Sequence, residues 1–293
     1  MSSENKNPKY ETTLKSQEIA LVGQDTLRMA EPFINHFGIE ANPYEQPDEF
    51  IEALNQIDPR YKGGRDLVRW QLQEDQTEWP EETKDLIMRT AEQMRMLEQE
   101  TPLVGNFDAV IVLGGANQAN LDRSLYAAEA SKNQAASFKY MIIAGSTREL
   151  LEAEQNATAN YAPGAKTEFE LCEAAAKVVA EQYPEISVTT FKIDEKKAGT
   201  PRVVEATLQW IKDGGALTED FKLAAVTTQI YQKSTEMDVA RVAESFGIEE
   251  TFTAGNPSDP AIIAKRTPAI YLSENLRTLR AAVHAAQVEP QPY

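Results

Sequence analysis

The sequence predicts an α/β fold in which a mainly parallel sheet lies between two layers of helices, preceded by an all-helical amino-terminal extension. After residue 105, short β-rich apolar runs alternate with longer amphipathic segments, which is the pattern of strands joined by crossover helices. Before residue 105, apolar residues recur at helical spacing. We therefore predict two parts, the helical extension over residues 1–104 and the α/β domain over residues 105–293.

The extension is predicted to contain four helices, because proline and glycine pairs interrupt its helical periodicity. The interruptions are at Asn42-Pro43, Asp58-Pro59, Gly63-Gly64 and Trp79-Pro80. They separate predicted helices over residues 12–37, 47–57, 65–74 and 81–100. We expect the apolar faces of these helices to pack on the main body, while their Gln- and Glu-rich faces stay in solvent.

In the α/β domain, strands are predicted over residues 109–113, 140–144, 188–193, 223–228 and 250–253. Residues 109–113 are all apolar, so this strand should be buried on both sides. Two helix starts are well marked: Thr167 and Glu170 form a predicted capping box, and Thr200 is a predicted cap with Pro201 at the first helical position. Predicted helices over residues 235–246 and 273–286 complete the domain.

Composition excludes several classes of function. The net charge of −17 and the pI near 4.7 oppose binding to nucleic acid or to an anionic membrane, because both need clustered Lys and Arg. No apolar run approaches the roughly 18 residues of a membrane span, and the start of the chain lacks a leader pattern, so we expect a cytoplasmic protein. One cysteine, Cys172, and two distant histidines, His36 and His284, oppose a cysteine or histidine cage, so we expect no metal.

A candidate ligand site begins where the strand over residues 109–113 ends, on Gly114 and Gly115. Glycines free the backbone to turn, and the carboxyl ends of parallel strands are where open α/β sheets bind ligands. The full Gly-x-Gly-x-x-Gly fingerprint is absent, and so are the nucleophile elbow of α/β hydrolases and the Walker phosphate loop. The glycine pair could therefore mark either a site or only a tight turn.

The order of the strand ends and helix starts over about residues 107–250 resembles the YdcF/SanA/ElyC family, a bacterial group of largely uncharacterised proteins. That family opens with an Asp-Ala-hydrophobic strand ending in Leu-Gly-Gly, which is similar to Asp108 through Gly115, and its next helix carries an arginine at the position of Arg123. Its second strand ends in a Ser-Gly-Gly-like turn, which resembles Ala144-Gly145-Ser146-Thr147. The resemblance implies a Rossmann-like sandwich.

Later blocks continue the resemblance and then depart from it. The glutamate of the family's Ser-Glu-Ala helix start matches Glu168, and an acidic residue before an Asn-Thr pair resembles Glu195 before Gly199-Thr200. The last block places Tyr231 where the family has a histidine and Ser234 where it has an arginine. A tyrosine with a pKa near 10 could not replace a histidine base at neutral pH without a large shift. Lys233 could supply the missing positive charge.

Together, the strand ends and the helix starts after them should form one cleft for an anionic small molecule. Helix amino termini and the guanidinium groups of Arg123 or Arg148 suit a phosphate or carboxylate. The cofactor hypothesis is a nucleotide or an S-adenosylmethionine-like ligand, and the candidate catalytic residues are Glu168, Glu195 and Tyr231. The predicted ligand-binding residues are Gly114, Gly115, Asn117, Arg123, Gly145, Ser146, Thr147, Arg148, Glu168, Thr200, Thr227, Thr228, Gln229 and Tyr231.

Two functions remain open from the sequence. One is a YdcF-like ligand-binding protein or enzyme that catalyses group transfer or hydrolysis on its ligand. The other is a non-catalytic sensor or adaptor, in which the extension binds a partner or forms a homodimer. Structural roles also compete at single positions: Thr200 could be only a cap, Glu168 could only favour the positive end of its helix, and Arg123 could be a solvated helix residue.

Overall fold

The computed structural model describes residues 13–15, 18–61, 71–72, 77–194 and 199–288. Its sheet has the strand order β1-β6-β5-β2-β3-β4, with bounds β1 Thr13–Lys15, β2 Gly105–Leu113, β3 Ala136–Ser146, β4 Val188–Ile193, β5 Leu223–Thr228 and β6 Glu250–Asn256. The strands β2 to β6 pair in parallel, and only the short β1 is antiparallel, to β6. The predicted α/β fold with a mainly parallel sheet is confirmed.

The helices follow in chain order around this sheet. Their bounds are α1 Ile19–Met29, α2 Glu31–His36, α3 Pro47–Ile57, α4 Glu81–Gln93, α5 Ala119–Lys132, α6 Glu152–Thr158, α7 Glu168–Gln182, α8 Thr200–Asp213, α9 Gln232–Glu244, α10 Pro260–Ile263 and α11 Pro268–Ala286. Among these described helices, none combines the length with the apolar composition that crossing a bilayer would require.

The central strand β2 is buried on both faces, as its unbroken apolar run predicts. Val110 and Val112 pack in one core, which α5 and α7 cover. Ala109 and Ile111 pack in a second core, under α8 and α9. Because successive side chains of a strand point to opposite faces, this alternation makes the three layers of a Rossmann-like sandwich.

In the described residues of the amino-terminal part, the strand β1 precedes the helices, which corrects the prediction of an all-helical extension. The predicted helix over residues 12–37 begins outside the described residues, and the structure has β1 followed by two helices in its place. The two helices part at Ala30, since Pro32 has no N–H to continue the α1 ladder. β1 covers the β6 edge of the sheet, while among the described residues β4 has a neighbour on one side only.

Two further boundaries differ from the prediction. The helix predicted over residues 81–100 ends at Gln93, because Arg95 takes a left-handed backbone with φ of 62° and the Met96 amide bonds back to Ala91. The predicted helix over residues 65–74 lies outside the described residues except for Gln71 and Leu72, which form a short 3₁₀ turn.

The amino-terminal helices share one core with the carboxyl-terminal helix α11. Phe33, Phe50 and Ile87 from the extension pack with Leu276 and Leu279 of α11. A buried ion cluster adds to this contact: Asp58, after α3, bonds to Arg60 and to Arg280 of α11. Burial alone would raise the pKa of Asp58, but the hydrogen bond and charge of Arg60 and the charge of Arg280 hold it below its usual value.

Replacing Gly23 tests how closely α1 and α11 pack. A Cβ atom at Gly23 would lie 2.6 Å from the Ala282 carbonyl oxygen and 2.6 Å from the Ala286 amide nitrogen, both backbone atoms. Helix propensity favours alanine by about 1 kcal/mol, whereas overpacking costs about 1–3 kcal/mol. Because both close contacts are with backbone atoms, the cost should lie in the upper part of this range, and we expect Gly23→Ala to lower the free energy of unfolding in urea by about 1–2 kcal/mol.

Gly214→Ala is the matched control. Gly214 has a helical backbone, and a Cβ atom there would meet its nearest neighbours at 3.5 Å, an ordinary contact. This substitution should leave stability unchanged or raise it by about 0.5 kcal/mol. Equal stability of Gly23→Ala and the wild type would contradict the close helix contact.

Candidate functional site

The carboxyl ends of the parallel strands meet at one edge of the sheet. From β2 the chain adds β3 and then β4 on one side, and it returns to place β5 and β6 on the other side. The point between β2 and β5 is therefore the topological switch of the sheet, where open α/β folds form a crevice. The predicted residues after β2 and β5 lie on the two sides of this point.

The glycine pair after β2 has both of its amides hydrogen-bonded within the protein. The Gly114 amide donates to the Ala144 carbonyl at 2.7 Å, and the Gly115 amide donates to Asn120 Oδ1 at 2.9 Å. Asn120 Nδ2 donates back to the Gly115 carbonyl at 2.6 Å. Asn117 has a left-handed backbone with φ of 54°, and its carbonyl accepts from Tyr161 Oη at 3.1 Å. The glycine pair thus forms a tight turn that internal hydrogen bonds hold.

Arg123 joins the ends of β2 and β5. It is 4% exposed, so it is not a solvated helix residue. Its Nη1 donates to the Leu113 carbonyl at 2.6 Å and to the Gly114 carbonyl at 2.8 Å, while its Nε donates to Thr228 Oγ1 at 3.1 Å. A planar guanidinium suits several acceptors in fixed directions. Arg123 therefore connects the end of β2 to the end of β5 by hydrogen bonds.

A second polar cluster lies at the end of β3. Glu168 Oε2 accepts from Ser146 Oγ at 3.1 Å and pairs with Arg148 Nε at 3.4 Å. Arg148 Nη1 also pairs with the fully buried Glu154 at 3.0 Å. Burial alone would lower the pKa of Arg148, but its hydrogen bonds to Glu154 and the charges of Glu154 and Glu168 raise this pKa above its usual value. Glu168 thus pairs with Arg148 and lies close to the end of β2.

Glycines allow this cluster to approach β2 closely. A Cβ atom at Gly114 would lie 2.5 Å from Glu168 Oε1, and one at Gly145 would lie 2.5 Å from Cys172 Sγ. Side chains at either position would therefore separate β2 or β3 from α7. Cys172 is fully buried, and burial raises its pKa well above the usual value, so it is a core residue. The predicted Thr167 capping box on α7 is confirmed.

On the β5 side, the ring of Tyr231 is contacted by two arginines, Arg123 and Arg277. The guanidinium carbon of Arg123 is 5.9 Å from the centre of the Tyr231 ring, and that of Arg277 is 5.5 Å away. Arg277 Nη2 donates to Thr200 Oγ1 at 2.8 Å. The cap of α8 is Gly199, which corrects the prediction that Thr200 is the cap: Thr200 is the first helical residue, and its hydroxyl contacts α11.

Arg277 contacts Tyr231 and Thr200 but is not among the residues that the sequence predicted for the site. It lies on α11, among the buried apolar residues Leu276 and Leu279, and its side chain is 18% exposed. A basic residue inside an apolar helical stripe was the available signal, because such a charge needs a partner. The helix was predicted, but its position against α9, which follows β5, could not be inferred from its own sequence.

Other predicted residues lie near the rim without joining these contacts. Gln229 is buried and its amide donates to the Arg95 carbonyl of the extension at 3.0 Å. Lys233 pairs with Glu236 along α9 at 2.9 Å, and Ser234 Oγ donates to the Tyr231 carbonyl at 3.0 Å. The Thr147 amide donates to the Ile193 carbonyl, and Thr227 is buried in β5. Glu195 lies outside the described residues.

Replacing Arg123 tests its support of the rim. In Arg123→Met, the Leu113 and Gly114 carbonyls lose their donor, and each buried, unpaired polar group costs about 1–3 kcal/mol. We expect the free energy of unfolding in urea to fall by roughly 2–4 kcal/mol. The control Arg28→Met removes an exposed ion pair with Asp25 and should change stability by less than about 0.5 kcal/mol. A similar, small change in both variants would contradict the role of Arg123.

Asp238 on α9 predicts a pH-dependent stability. Burial raises its pKa to about 6, although the charges of Arg277 and Arg241 lower it. Because the folded pKa exceeds the unfolded value of 3.8, the stability that Asp238 contributes is fully present below pH 3.8 and is lost as the pH rises through about 6. We expect Asp238→Asn to be more stable than the wild type above pH 7, by at most roughly 3 kcal/mol.

This advantage should shrink between pH 7 and pH 4, because the wild-type carboxyl then becomes protonated as well. Chemical unfolding across this range measures the difference, and Asp85→Asn is the exposed control. A difference that is independent of pH would contradict the buried environment of Asp238.

The comparisons with known proteins give distant relatives and no established family. The chain is similar to an uncharacterized protein of Mycobacterium bovis and to uncharacterized proteins of two Mycobacterium tuberculosis strains, each with 38% identity over 98 residues. The match covers 33% of this chain and 27% of each relative, so the chain spans about a quarter of the length of these relatives. No family model matches the chain. No solved structure matches it significantly.

Proposed function

We propose that this protein is YdcF-like and binds an anionic, nucleotide-like small molecule at the carboxyl ends of its parallel strands. The observation that carries the proposal is the meeting of Arg123, Arg277 and Tyr231 at the switch point between β2 and β5. This is the position at which the fold class binds ligands. Two guanidinium groups there would favour an anion, although the whole chain has a net charge of −17.

The aromatic ring supports the nucleotide-like character of the proposed ligand. Tyr231 is partly exposed, and its ring offers a flat apolar surface next to charged donors. A nucleotide or S-adenosylmethionine has the same combination of a flat base and charged groups. Glu168 and Thr228, at the ends of the neighbouring elements, could accept from or donate to ribose hydroxyls.

Two observations favour a second candidate, a non-catalytic ligand sensor. Tyr231 stands where a histidine base is expected, and Glu168 is engaged by Arg148 and Ser146. In addition, Gln229 connects the end of β5 to Arg95 in the extension. A change at the strand end could thus reach the amino-terminal helices through a direct hydrogen bond.

A thermal-shift screen tests the binding proposal. The probes are AMP, ADP, glucose 6-phosphate and S-adenosylmethionine, each against the wild type, Tyr231→Phe and Tyr140→Phe. A ligand present at 100 times its Kd stabilises a protein by about 2.7 kcal/mol, so we expect at least one probe to raise Tm by about 3–6 °C. Tyr231→Phe should reduce that shift, because it removes only the hydroxyl from the site.

Tyr140→Phe is the matched control, since Tyr140 is 47% exposed and pairs with Ala109, far from the carboxyl ends of the strands. It should respond to the probe as the wild type does. No shift of the wild type with any probe would refute the binding proposal. Mass spectrometry of a bound probe after incubation then separates the two candidates: new products favour the enzyme, and an unchanged probe favours the sensor.

A further inference from the structure

We propose that β4 is a dimerisation surface, and that its partner is the β4 strand of a second copy of this chain, paired antiparallel about a twofold axis. This interface lies along the outer side of β4 and is independent of the proposed function. Three features of the strand and of the helix beside it support the assignment: the direction of its backbone groups, the register in which it can pair with itself, and an exposed tryptophan.

Alternate residues of β4 direct their backbone groups away from the sheet. The Ser187 carbonyl accepts from the Met141 amide at 3.0 Å, and the Ile193 carbonyl accepts from the Thr147 amide at 3.1 Å. The odd-numbered residues of the strand therefore bond to β3, and the even-numbered ones face outward. Those outward residues are Val188, Thr190 and Lys192. Within the part of the chain that the structure describes, β4 pairs with β3 alone.

The outward residues match one another under a twofold rotation. When Thr190 pairs with Thr190 of the second copy, Val188 of each copy pairs with Lys192 of the other. This register uses all three outward residues, and each pair can exchange two hydrogen bonds. Lys192 then lies opposite an apolar residue, while its own charge is paired with Asp194 at 3.1 Å. No like charges therefore oppose each other in these three pairs.

An exposed aromatic side chain lies next to the centre of this register. Trp210 of α8 is 44% exposed, and its ring centre is 5.4 Å from that of Phe191 in β4. Phe191 follows Thr190, through which the twofold axis would pass. An axis perpendicular to the sheet keeps both α8 helices on the same side, so each copy would bring its Trp210 to this side of the joined sheet. Tryptophan is enriched at the centres of protein interfaces.

The area that a stable interface needs favours a second copy over an isolated peptide strand. Specific interfaces bury about 1,200–2,000 Å² in total, and pairing through a six-residue strand supplies only part of that area. A second copy also brings the helices α7 and α8, which pack on β4, to the interface. An extended peptide would satisfy the backbone groups of β4 but would bring no second Trp210.

Sedimentation equilibrium of the full chain over the micromolar range tests the proposal, at moderate salt to screen the repulsion between two chains of net charge −17. We expect a wild-type dimer that dissociates on dilution. Thr190→Pro should be a folded monomer in urea unfolding and sedimentation, because proline removes an N–H that β3 does not use. Thr190→Val keeps this N–H and the β-branched shape, so it is the matched control and should dimerise as the wild type does.

Two substitutions at Val188 test the register. Val188→Glu would place a carboxylate opposite Lys192 of the other copy, whereas Val188→Lys would place a second cation there. Both remove the same apolar side chain, so they share any loss of stability within one copy. Because the twofold axis creates two such pairs, we expect the dimer Kd of Val188→Lys to exceed that of Val188→Glu by about tenfold.

A wild type that stays monomeric throughout the concentration range would overturn the proposal, and so would an open series of larger oligomers. A dimer that Thr190→Pro leaves intact would also overturn it, because the interface would then lie elsewhere. If Thr190→Pro does not fold, the two Val188 variants still test the interface. Equal dissociation constants for these two variants would contradict the pairing of Val188 with Lys192 and, with it, the proposed dimer.

Discussion

The arrangement of the whole sheet edge depends on one charged side chain that holds two strands together. Backbone carbonyls just beyond a strand end have no partner in the sheet, and burying them unpaired is unfavourable. Arg123 donates to the carbonyl of Leu113, the last residue of β2, to the next carbonyl, that of Gly114, and to the hydroxyl of Thr228, the last residue of β5. These strands flank the point at which the sheet reverses its direction of growth. The guanidinium therefore holds the ends of these two strands together, and it contacts the Tyr231 ring, which Arg277 contacts as well while donating to Thr200.

Much of the α/β fold could be predicted because its signals are local. A strand buried on both faces needs an unbroken apolar run, and residues 109–113 have one. The capping box of Thr167 and Glu170 is likewise contained within four residues. Thr200-Pro201 predicted a helix start one residue too late: Gly199 is the cap, Thr200 is the first helical residue, and its hydroxyl contacts Arg277 on a distant helix. Local patterns thus located the elements, but they could not assign a side chain whose partner lies on another element.

The position of the candidate site at one edge of the sheet could be predicted, but the hydrogen-bond partners of its residues could not. The topological rule placed Gly114, Arg123, Glu168 and Tyr231 at one edge, and the structure brings them there. The rule could not tell that the Gly115 amide is occupied by Asn120 or that Gln229 points to Arg95. Nor could it find Arg277, because the position of α11 beside α9 results from a core that it shares with the amino-terminal helices. Contacts between segments more than 150 residues apart produce no periodic pattern in the sequence from which they could be predicted.

The unequal edges of the sheet have a consequence for assembly. Unpaired strand edges are templates for pairing with other chains, and sheets grow into fibres only when both edges accept a neighbour. Here the three-residue β1 covers β6 and reverses the strand direction, while within the described residues β4 has a partner on one side only. Within the described residues, β4 is the longer of the two edge strands, with six residues against the three of β1. The short first strand therefore leaves a shorter template for pairing at its edge of the sheet than β4 does at the other.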